Sequence, residues 1–297
     1  MTPEVSVIIR TYNRADLLPR AIESVLNQSF QDFEIIVADD GSTDQTAAVV
    51  NKLQSADNRI SFISQEHLGV PGGPLNLGLR HSRGKYIAIL DSDDEWLPSK
   101  LEKQMQLLES ANPQIGFVSC HTIMVKPDGT EQEKKPSPTE TPLEMALMRR
   151  FPFAFSSILA KKEVFDFIGP ADEKYKIMDD WDVHIRLATK YNYDFVAETL
   201  CRYYVHDSNI SFSQNYSRQA ADLAYLLNKH LSLFELHPKI LEHQYITLAS
   251  YLVKAGDLPK ARIYLKKNLV FHPSIKNLAR LILSYGGKKV YQKYTTK

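Results

Sequence analysis

Residues 87–94 read Ile-Ala-Ile-Leu-Asp-Ser-Asp-Asp, an apolar run that ends in a cluster of carboxylates. The apolar half is typical of a strand that is buried on both faces of a parallel sheet. Three carboxylates within four positions repel one another, so the cluster is stable mainly when a cation lies in it. Ligands of open α/β folds bind at the carboxyl edge of the sheet. The stretch therefore predicts an enzyme that binds a nucleoside diphosphate through a divalent metal.

The same alternation of strands and helices extends on either side of this stretch. Apolar strands are predicted over residues 5–9, 34–38, 60–63 and 86–90, and the segments between them carry apolar residues at helical spacing. Strands separated by helices indicate βαβ units and a parallel sheet. A second acidic pair, Asp39-Asp40, follows a strand, so both acidic clusters are expected at one sheet edge. The predicted fold class is α/β: a Rossmann-like, mainly parallel central sheet flanked by helices.

The second half of the chain has a different pattern. Residues 126–142 are polar and contain four prolines, which predicts a mobile loop or lid. Strands are predicted over residues 155–159, 193–196 and 202–205, and a helix over residues 182–191. From residue 216 onward, leucines recur at helical spacing. We expect residues 216–297 to form an all-helical C-terminal region.

The composition limits the partners and the compartment. The 297 residues include 36 basic and 35 acidic side chains, a formal charge of +1, so no overall field favours nucleic acid. Cys120 and Cys201 lie in apolar sequence and are expected to be buried thiols rather than a disulfide or zinc ligands. No apolar run approaches the roughly 20 residues of a membrane span, and no signal peptide precedes the first strand. These features predict a cytoplasmic protein.

The end of the sequence leaves two interpretations open. Lys288, Lys289, Lys293 and Lys297 stand there among tyrosines. Such a segment either rests on the anionic inner face of a membrane or is a solvated end, which is the more common case. Peripheral contact with the inner face of the membrane is therefore an open prediction.

Three segments resemble the family 2 glycosyltransferases in order and in register over roughly residues 4–212. They are VSVIIRTYNRADLLPRAIESVLNQSFQDFEIIVADDGSTD (5–44), GKYIAILDSDDEWLPSKL (84–101) and MDDWDVHIRLA (178–188). The resemblance implies the GT-A fold, with a donor half at 1–110, an acceptor half at 111–215 and a helical region at 216–297. It also implies transfer of a sugar from a nucleoside diphosphate with inversion at the anomeric carbon.

The resemblance assigns the nucleotide to the ends of the first two strands. It implies that Thr11, Tyr12 and Arg14 border the base, which stacks on the Tyr12 ring. The Asp40 carboxylate would accept a base N–H. The N3–H of uracil suits this contact, so a uridine donor is expected. Taken alone, Asp39 and Asp40 would be interpreted as a turn and a helix cap.

The resemblance assigns the metal to the acidic cluster that follows the strand over residues 86–90. Asp93 is the predicted direct ligand of Mg²⁺ or Mn²⁺, because carboxylates and substrate phosphates often hold such a cation together. Asp91 is predicted to bind the ribose or a water on the metal, and His206 to complete the metal site. Asp94 is expected to cap or brace the loop.

Asp180 is the predicted general base. Inverting transfer needs a carboxylate opposite the leaving group, which takes the proton of the acceptor hydroxyl. The family usually has Glu-Asp before an aromatic residue, and this chain has Asp179-Asp180-Trp181. Asp182 is expected to cap the following helix, and Trp181 either lines the acceptor pocket or packs in the core.

Two positions depart from the family pattern. Arg10 replaces the Pro that usually ends the first strand, and is expected either to reach the phosphates or to pair with an Asp. The Arg that usually precedes Asn76 is missing, which leaves one donor contact open. The chain also lacks a Gln-x-x-Arg-Trp motif, so processive polymer synthesis is not expected.

The predicted function is that of a non-processive hexosyltransferase. It would move one sugar from a nucleotide-sugar, with a UDP-sugar favoured, to a saccharide or lipid-linked saccharide in bacterial polysaccharide or glycolipid assembly. A non-catalytic relative that binds a nucleotide-sugar or scaffolds a partner is an alternative, because the Arg before Asn76 is missing. A nucleotidyltransferase is a weaker alternative, since Thr11-Tyr12-Asn13-Arg14 is not a Gly-rich phosphate loop.

Overall fold

The computed structural model describes residues 2–134, 141–148, 154–206 and 215–295. They form two compact units, Met1–Ala146 with Arg150–Asp207, and Leu147–Arg149 with Ser208–Lys297. The strands are β1 (Val5–Thr11), β2 (Phe33–Asp39), β3 (Ile60–Ser64), β4 (Tyr86–Asp91), β5 (Glu95–Trp96), β6 (Ile115–Val125), β7 (Glu131–Lys134), β8 (Leu159–Lys161) and β9 (Asn192–Tyr204). The helices up to residue 188 are α1 (Leu18–Leu26), α2 (Thr46–Ala56), α3 (Gly72–His81), α4 (Lys100–Ser110), α5 (Pro142–Leu147), α6 (Lys162–Ile168) and α7 (Asp179–Ala188).

Within the described residues, the strands join in one sheet of order β3-β2-β1-β4-β8-β6-β9-β5, and β7 pairs with β6. The strands β1, β2, β3 and β4 are parallel, whereas β8 runs antiparallel to β4 and β6. Arg10 of β1 lies opposite Ala38 of β2 and opposite Asp91 of β4. The acidic ends of β2 and β4 therefore flank the end of β1. The predicted α/β class is confirmed.

Helices cover both faces of β1. Successive side chains of a strand point to opposite faces. Val7 and Ile9 accordingly pack in the same cluster as the apolar faces of α1 and α4, whereas Ile8 packs in the cluster that contains Leu75 of α3. Gly78 lets α3 approach the sheet closely, because a Cβ added there would lie 2.4 Å from Ile8 Cγ2. This burial on both faces explains why the parallel strands are continuously apolar.

The strand predicted over residues 155–159 is wrong in its first half. Phe155–Ser157 forms a single 3₁₀ turn, and β8 begins only at Leu159. The Ser157 N–H donates to the Ala154 carbonyl oxygen at 2.9 Å, and the Ser157 hydroxyl donates to the same oxygen at 2.7 Å. Serine side chains that hydrogen-bond to nearby backbone groups compete with the hydrogen bonds between β-strands. This explains why the apolar pattern wrongly predicts a strand at residues 155–157.

Three other predicted boundaries differ from the structure. The strands predicted over 193–196 and 202–205 are one strand, β9, which pairs with β6 through register shifts between Cys120 and Thr122. The segment 126–142, predicted as a loop, contains β7, which pairs antiparallel with β6. Residues 135–140 of that segment lie outside the described residues. The helix predicted over 182–191 begins at Asp179, so Asp182 does not cap it.

Residues 215–295 are helical and confirm the predicted helical C-terminal region. The helices are α8 (Tyr216–Lys229), α9 (Leu231–Glu235), α10 (Pro238–Ala255), α11 (Leu258–Phe271), α12 (Ile275–Tyr285) and α13 (Lys288–Thr295). Gly256 ends α10 in the left-handed conformation, with φ of 90°, and the Asp257 side chain accepts the Lys260 N–H at the start of α11. The chain turns between these two caps, and α10 and α11 form a helical hairpin. Among the described residues, no helix has the length and apolar character that crossing a membrane would require.

Candidate active site

The Arg10 guanidinium joins two acidic segments that are far apart in the sequence. Its Nε and Nη2 donate to Asp91 Oδ1 at 2.9 and 2.5 Å, and its Nη1 donates to Asp179 Oδ2 at 3.0 Å. Burial acts to lower the pKa of Arg10, but the two carboxylates outweigh it and raise that pKa above its ordinary value. The Arg10 guanidinium, which stays charged, therefore links the end of β4 to the start of α7. Of the two roles expected for Arg10, the structure shows pairing with Asp.

Three carboxylates in the first turn of α7 have different surroundings. Asp179 is buried, and burial, opposed by its guanidinium partner and reinforced by Asp180, raises its pKa to about 6. Asp180, the predicted base, is half-buried, and its Oδ1 accepts the Trp181 backbone N–H at 2.7 Å. Asp182 is fully buried and pairs with Arg186 at 2.8 Å. Asp182 is thus structural, whereas Asp180 is the one of the three that is partly accessible to a substrate.

Asp93 lies among cationic side chains. His206 Nε2 is 3.0 Å from Asp93 Oδ2, and Arg14 Nη2 is 3.9 Å from the same oxygen. Arg20 Nη2 donates to the Asp93 carbonyl oxygen at 2.5 Å. Burial and the neighbouring Asp91 raise the pKa of Asp93 above its ordinary value. The structure therefore brings Asp93 and His206 together, with Arg14 and Arg20 beside them. Asp91, the third predicted metal-site residue, is paired with Arg10 instead.

Asp94 braces the loop that carries Asp93. Its buried carboxylate accepts the Ser156 hydroxyl and the Tyr204 N–H, the latter at 3.2 Å. Ser156 Oγ in turn accepts the backbone N–H of Asp91 at 3.1 Å. Burial, together with Asp93 and Asp91, raises the pKa of Asp94 well above its ordinary value. Through these hydrogen bonds of Ser156, the 3₁₀ turn thus holds the acidic loop in position.

The Asp40 carboxylate is engaged on all sides by the loop over residues 65–69. Its Oδ1 accepts Gln65 Nε2 at 2.8 Å and the Leu68 N–H at 3.1 Å. Its Oδ2 accepts the Gly69 N–H at 2.9 Å. His67 Nδ1 lies 2.9 Å from this Oδ2 and is hydrogen-bonded to the Asp40 carbonyl oxygen, also at 2.9 Å. A carboxylate offers about four acceptor sites. Three of these sites hold hydrogen bonds and the His67 ring borders the fourth, so a base N–H would have to displace one of these groups. The predicted base contact remains a prediction.

Tyr12 and Thr11 border the same place in different ways. The Tyr12 ring is 39% exposed, and the His67 ring stacks on it with centroids 4.0 Å apart and an angle of 14°. Thr11 is buried, and its hydroxyl has no hydrogen-bond partner among the described residues. The stacked pair joins Tyr12 to the 65–69 loop, and Thr11 ends β1 just before Tyr12, where the sequence predicts the nucleotide.

The side chains at Asp93 suit a divalent metal that a substrate helps to hold. No group of three or more His, Cys, Asp or Glu side chains in the described ranges is arranged to hold a metal ion. The protein instead presents one carboxylate oxygen and one imidazole nitrogen, at Asp93 and His206, 3.0 Å apart. Mg²⁺ is often held by one or two carboxylates plus substrate phosphates. A partial donor set of this kind fits such a cation.

The model of Glycosyl transferase family 2 matches residues 6–169, more than half of the 297-residue chain. The chain belongs to glycosyl transferase family 2. A relative in this family is the GalNAc(5)-diNAcBac-PP-undecaprenol beta-1,3-glucosyltransferase of Campylobacter jejuni, 38% identical over 164 residues. Those residues are 54% of this chain and 52% of the relative, so the match spans about half of that protein.

Two solved glycosyltransferase structures show the same fold. S. aureus TarS 1–349 in complex with UDP-GlcNAc superposes with a TM-score of 0.65 at 20% identity, over 98% of this chain and 91% of that chain. Mannosyltransferase PcManGT from Pyrobaculum calidifontis, in complex with GDP-Man and Mn²⁺, gives a TM-score of 0.60 at 21% identity, over 99% and 82% of the two chains. At these identities the likeness concerns the fold, and it confirms the predicted GT-A architecture.

Sequence reasoning missed several residues of this family 2 site. Arg20, Ser156 and His67 contact Asp93, Asp94 and Asp40, respectively, from remote positions in the chain. No spacing in the sequence connects these pairs, so only the fold could reveal them.

Two further positions named in the sequence analysis have contacts within the protein. Asn76, which follows the missing family arginine, exchanges two hydrogen bonds with the backbone of Ala171, at 2.9 and 2.7 Å. Trp181 is buried and donates its Nε1–H to the Ala146 carbonyl oxygen at 2.6 Å. Of its two expected roles, the structure shows packing in the core.

Proposed function

We propose that this family 2 protein is an inverting, metal-dependent hexosyltransferase that transfers one sugar per reaction. The donor is a nucleoside-diphosphate sugar, with a UDP-sugar favoured, and the acceptor is a hydroxyl of a saccharide or lipid-linked saccharide in bacterial polysaccharide or glycolipid assembly. The enzyme works in the cytoplasm, at the inner face of the membrane. The donor half is residues 1–110 and the acceptor half is residues 111–215.

The observation that carries this proposal is the shared guanidinium of Arg10. Asp91 and Asp179 bind two edges of one Arg10 side chain, at 2.9 and 3.0 Å. The acidic loop that would receive the diphosphate and the segment that carries Asp180 are therefore held side by side. A protein that only bound a nucleotide-sugar would have no use for a base beside its diphosphate site.

We assign a residue to each step of the transfer. Asp180 accepts the proton of the acceptor hydroxyl, and that oxygen attacks the anomeric carbon on the face opposite the diphosphate. The bond between the anomeric carbon and the diphosphate oxygen breaks, and its electron pair leaves with the diphosphate. Asp93 and His206 would hold a divalent metal, which would supply positive charge to that leaving group. Arg14, whose Nη2 is 3.9 Å from Asp93, adds a further cation.

The choice of donor and acceptor draws on the relatives. TarS is named in complex with UDP-GlcNAc, and the Campylobacter jejuni relative is named for an undecaprenol-linked acceptor. A uridine donor agrees with the carboxylate at Asp40, which is able to accept the N3–H of uracil. Transfer of a single sugar agrees with the lack of a Gln-x-x-Arg-Trp motif in the sequence.

Calorimetric titration of UDP, with and without Mn²⁺, tests the donor site. We expect the wild-type chain to bind UDP only with Mn²⁺, and Asp93→Ala to bind at least about tenfold more weakly, the equivalent of ~1.4 kcal/mol. The exposed Asp32→Ala is the matched control and should bind as the wild type does. Tighter binding of GDP than of UDP would reassign the donor, and no binding of either by the folded protein would refute the proposal.

Turnover separates an enzyme from a binding protein. With a panel of UDP-sugars and undecaprenyl-diphosphate-linked saccharides, we expect Asp180→Asn to bind UDP as the wild type does but to release at least about a hundredfold less UDP. Equal UDP release by the variant and the wild type would remove Asp180 from the role of base.

A further inference from the structure

The helix α12 in the C-terminal unit packs with its polar residues facing inward. Asn277 and Ser284 are buried. Asn277 Nδ2 donates to Glu242 Oε1 at 2.8 Å, and the Ser284 carbonyl oxygen accepts Arg262 Nη2 at 3.1 Å. Polar side chains that are buried and hydrogen-bonded in this way fix which face of a helix points inward.

The outer face of α12 is apolar. Ile275, Leu278, Ile282 and Tyr285 are 88%, 47%, 61% and 59% exposed. Their spacing of three or four residues places them in one stripe along the helix. Exposed apolar stripes that polar residues border are a mark of protein or membrane interaction sites. The arrangement is the reverse of that of an ordinary surface helix, so α12 is built to contact something apolar.

The sequence segment that carries this stripe is strongly positive. Residues 258–297 contain ten Lys and Arg side chains and no Asp or Glu, whereas residues 1–257 contain 26 basic and 35 acidic side chains, a formal charge of −9. Lys276 and Lys288 are among the exposed lysines at the two ends of the stripe. A partner for this region must therefore be anionic at its surface and apolar beneath it.

We infer that α12 and the lysines around it dock on an anionic lipid bilayer, with the Ile275–Tyr285 stripe inserted among the lipid chains. Amphipathic helices with a cationic border bind membrane surfaces in this way. A second copy of the chain is disfavoured, because a self-complementary interface would bring together two copies of the cationic segment 258–297, which contains no Asp or Glu. Nucleic acid is disfavoured because it has no apolar layer that could bury a stripe of isoleucine and leucine side chains. This inference rests on the proposed function only for the presence of a lipid-linked acceptor at that membrane.

Vesicle sedimentation with the full chain, without donor, tests the inference. We expect binding to vesicles of phosphatidylcholine with phosphatidylglycerol and no binding to vesicles of phosphatidylcholine alone. The double variant Ile275→Ser/Ile282→Ser should bind the anionic vesicles at least about tenfold more weakly, because both side chains lose their burial in lipid. The control Phe167→Ser/Leu236→Ser removes two other exposed apolar side chains and should bind as the wild type does.

Other results of these experiments would contradict the inference. Failure of the wild type to bind anionic vesicles, or equal binding by the Ile275→Ser/Ile282→Ser variant, would overturn the inference. A dimer in sedimentation equilibrium that the variant abolishes, without vesicle binding, would assign the stripe to a second copy. Thermal melts verify that the variants fold. UDP calorimetry on the same samples tests the donor site separately, so loss of vesicle binding and loss of donor binding are distinguished.

Discussion

At the scale of single residues, His67 connects two groups that the nucleotide is proposed to use. Its ring covers Tyr12, with centroids 4.0 Å apart, and its Nδ1 lies 2.9 Å from Asp40 Oδ2. The imidazole thus offers Tyr12 a flat ring and Asp40 an N–H, which are the two contacts that a uracil would offer. We interpret His67 as a competitor for the site of the base.

The substitution His67→Ala tests this interpretation. Without the imidazole we expect UDP to bind about threefold more tightly, which corresponds to the ~0.6 kcal/mol of a modest aromatic contact. Calorimetric titration with Mn²⁺ measures the change, and Glu66→Ala, at the exposed neighbouring position, is the control. Weaker binding by His67→Ala would show instead that the imidazole packs on the base as a second stacking partner.

At the scale of the elements, α4 begins with a lysine inside the protein. Lys100 is fully buried, and its Nζ donates to Gln104 Oε1 at 2.7 Å and lies 3.8 Å from the centroid of the Trp96 ring. Burial lowers the pKa of Lys100 from 10.5 to about 8. Between these two values the unfolded chain binds more protons than the folded protein, so this residue makes stability rise with pH.

Urea unfolding at pH 8 and pH 9 of the wild type and of Lys100→Met tests this linkage. The unfolding free energy of the wild type, relative to that of the variant, should rise by about 1 kcal/mol across this interval. Burial raises the pKa of the nearby Cys120 thiol to about 11, and loss of the Lys100 charge would raise it further. The thiol is therefore protonated in both folded proteins from pH 8 to pH 9 and contributes equally to both. A difference that is constant with pH would mean that Lys100 titrates normally.

The elements also differ in how well they could be predicted from the sequence. β1, β2 and β4 could be predicted because burial on both faces leaves them continuously apolar, and the acidic ends of β2 and β4 follow from strand order. The 3₁₀ turn at Phe155–Ser157 could not be predicted, because it is stabilised by serine hydrogen bonds, which the apolar pattern of the sequence does not reveal. The Arg10–Asp179 pair joins residues whose proximity only the packing of α7 creates.

At the scale of the whole molecule, charge is unevenly distributed along the chain. The formal charge of +1 results from −9 over residues 1–257 and ten positive charges over residues 258–297. Net charge governs the average field, but a local patch governs adsorption to a charged surface. The near-neutral total therefore conceals a strongly cationic C-terminal region.

Cation-exchange chromatography at pH 8 tests this asymmetry. Lys288→Glu and Lys52→Glu both remove an exposed lysine and both change the formal charge from +1 to −1. We expect the wild type to be retained and Lys288→Glu to elute at a clearly lower salt concentration than Lys52→Glu, since exposed charges act within a Debye length of about 10 Å. Elution of the two variants at the same salt concentration would mean that charge placement has no effect.

The four contacts between Asp40 and the 65–69 loop have a consequence in time. In the proposed donor site, a base would reach the Asp40 carboxylate only after one of these contacts opens, so donor capture would have two steps, loop opening and then docking. At high donor concentration the rate of capture would no longer increase with concentration, because it would equal the rate at which the loop opens. Loop motions occur in nanoseconds to microseconds, and the opening rate of this loop would set the upper limit on the rate of donor entry.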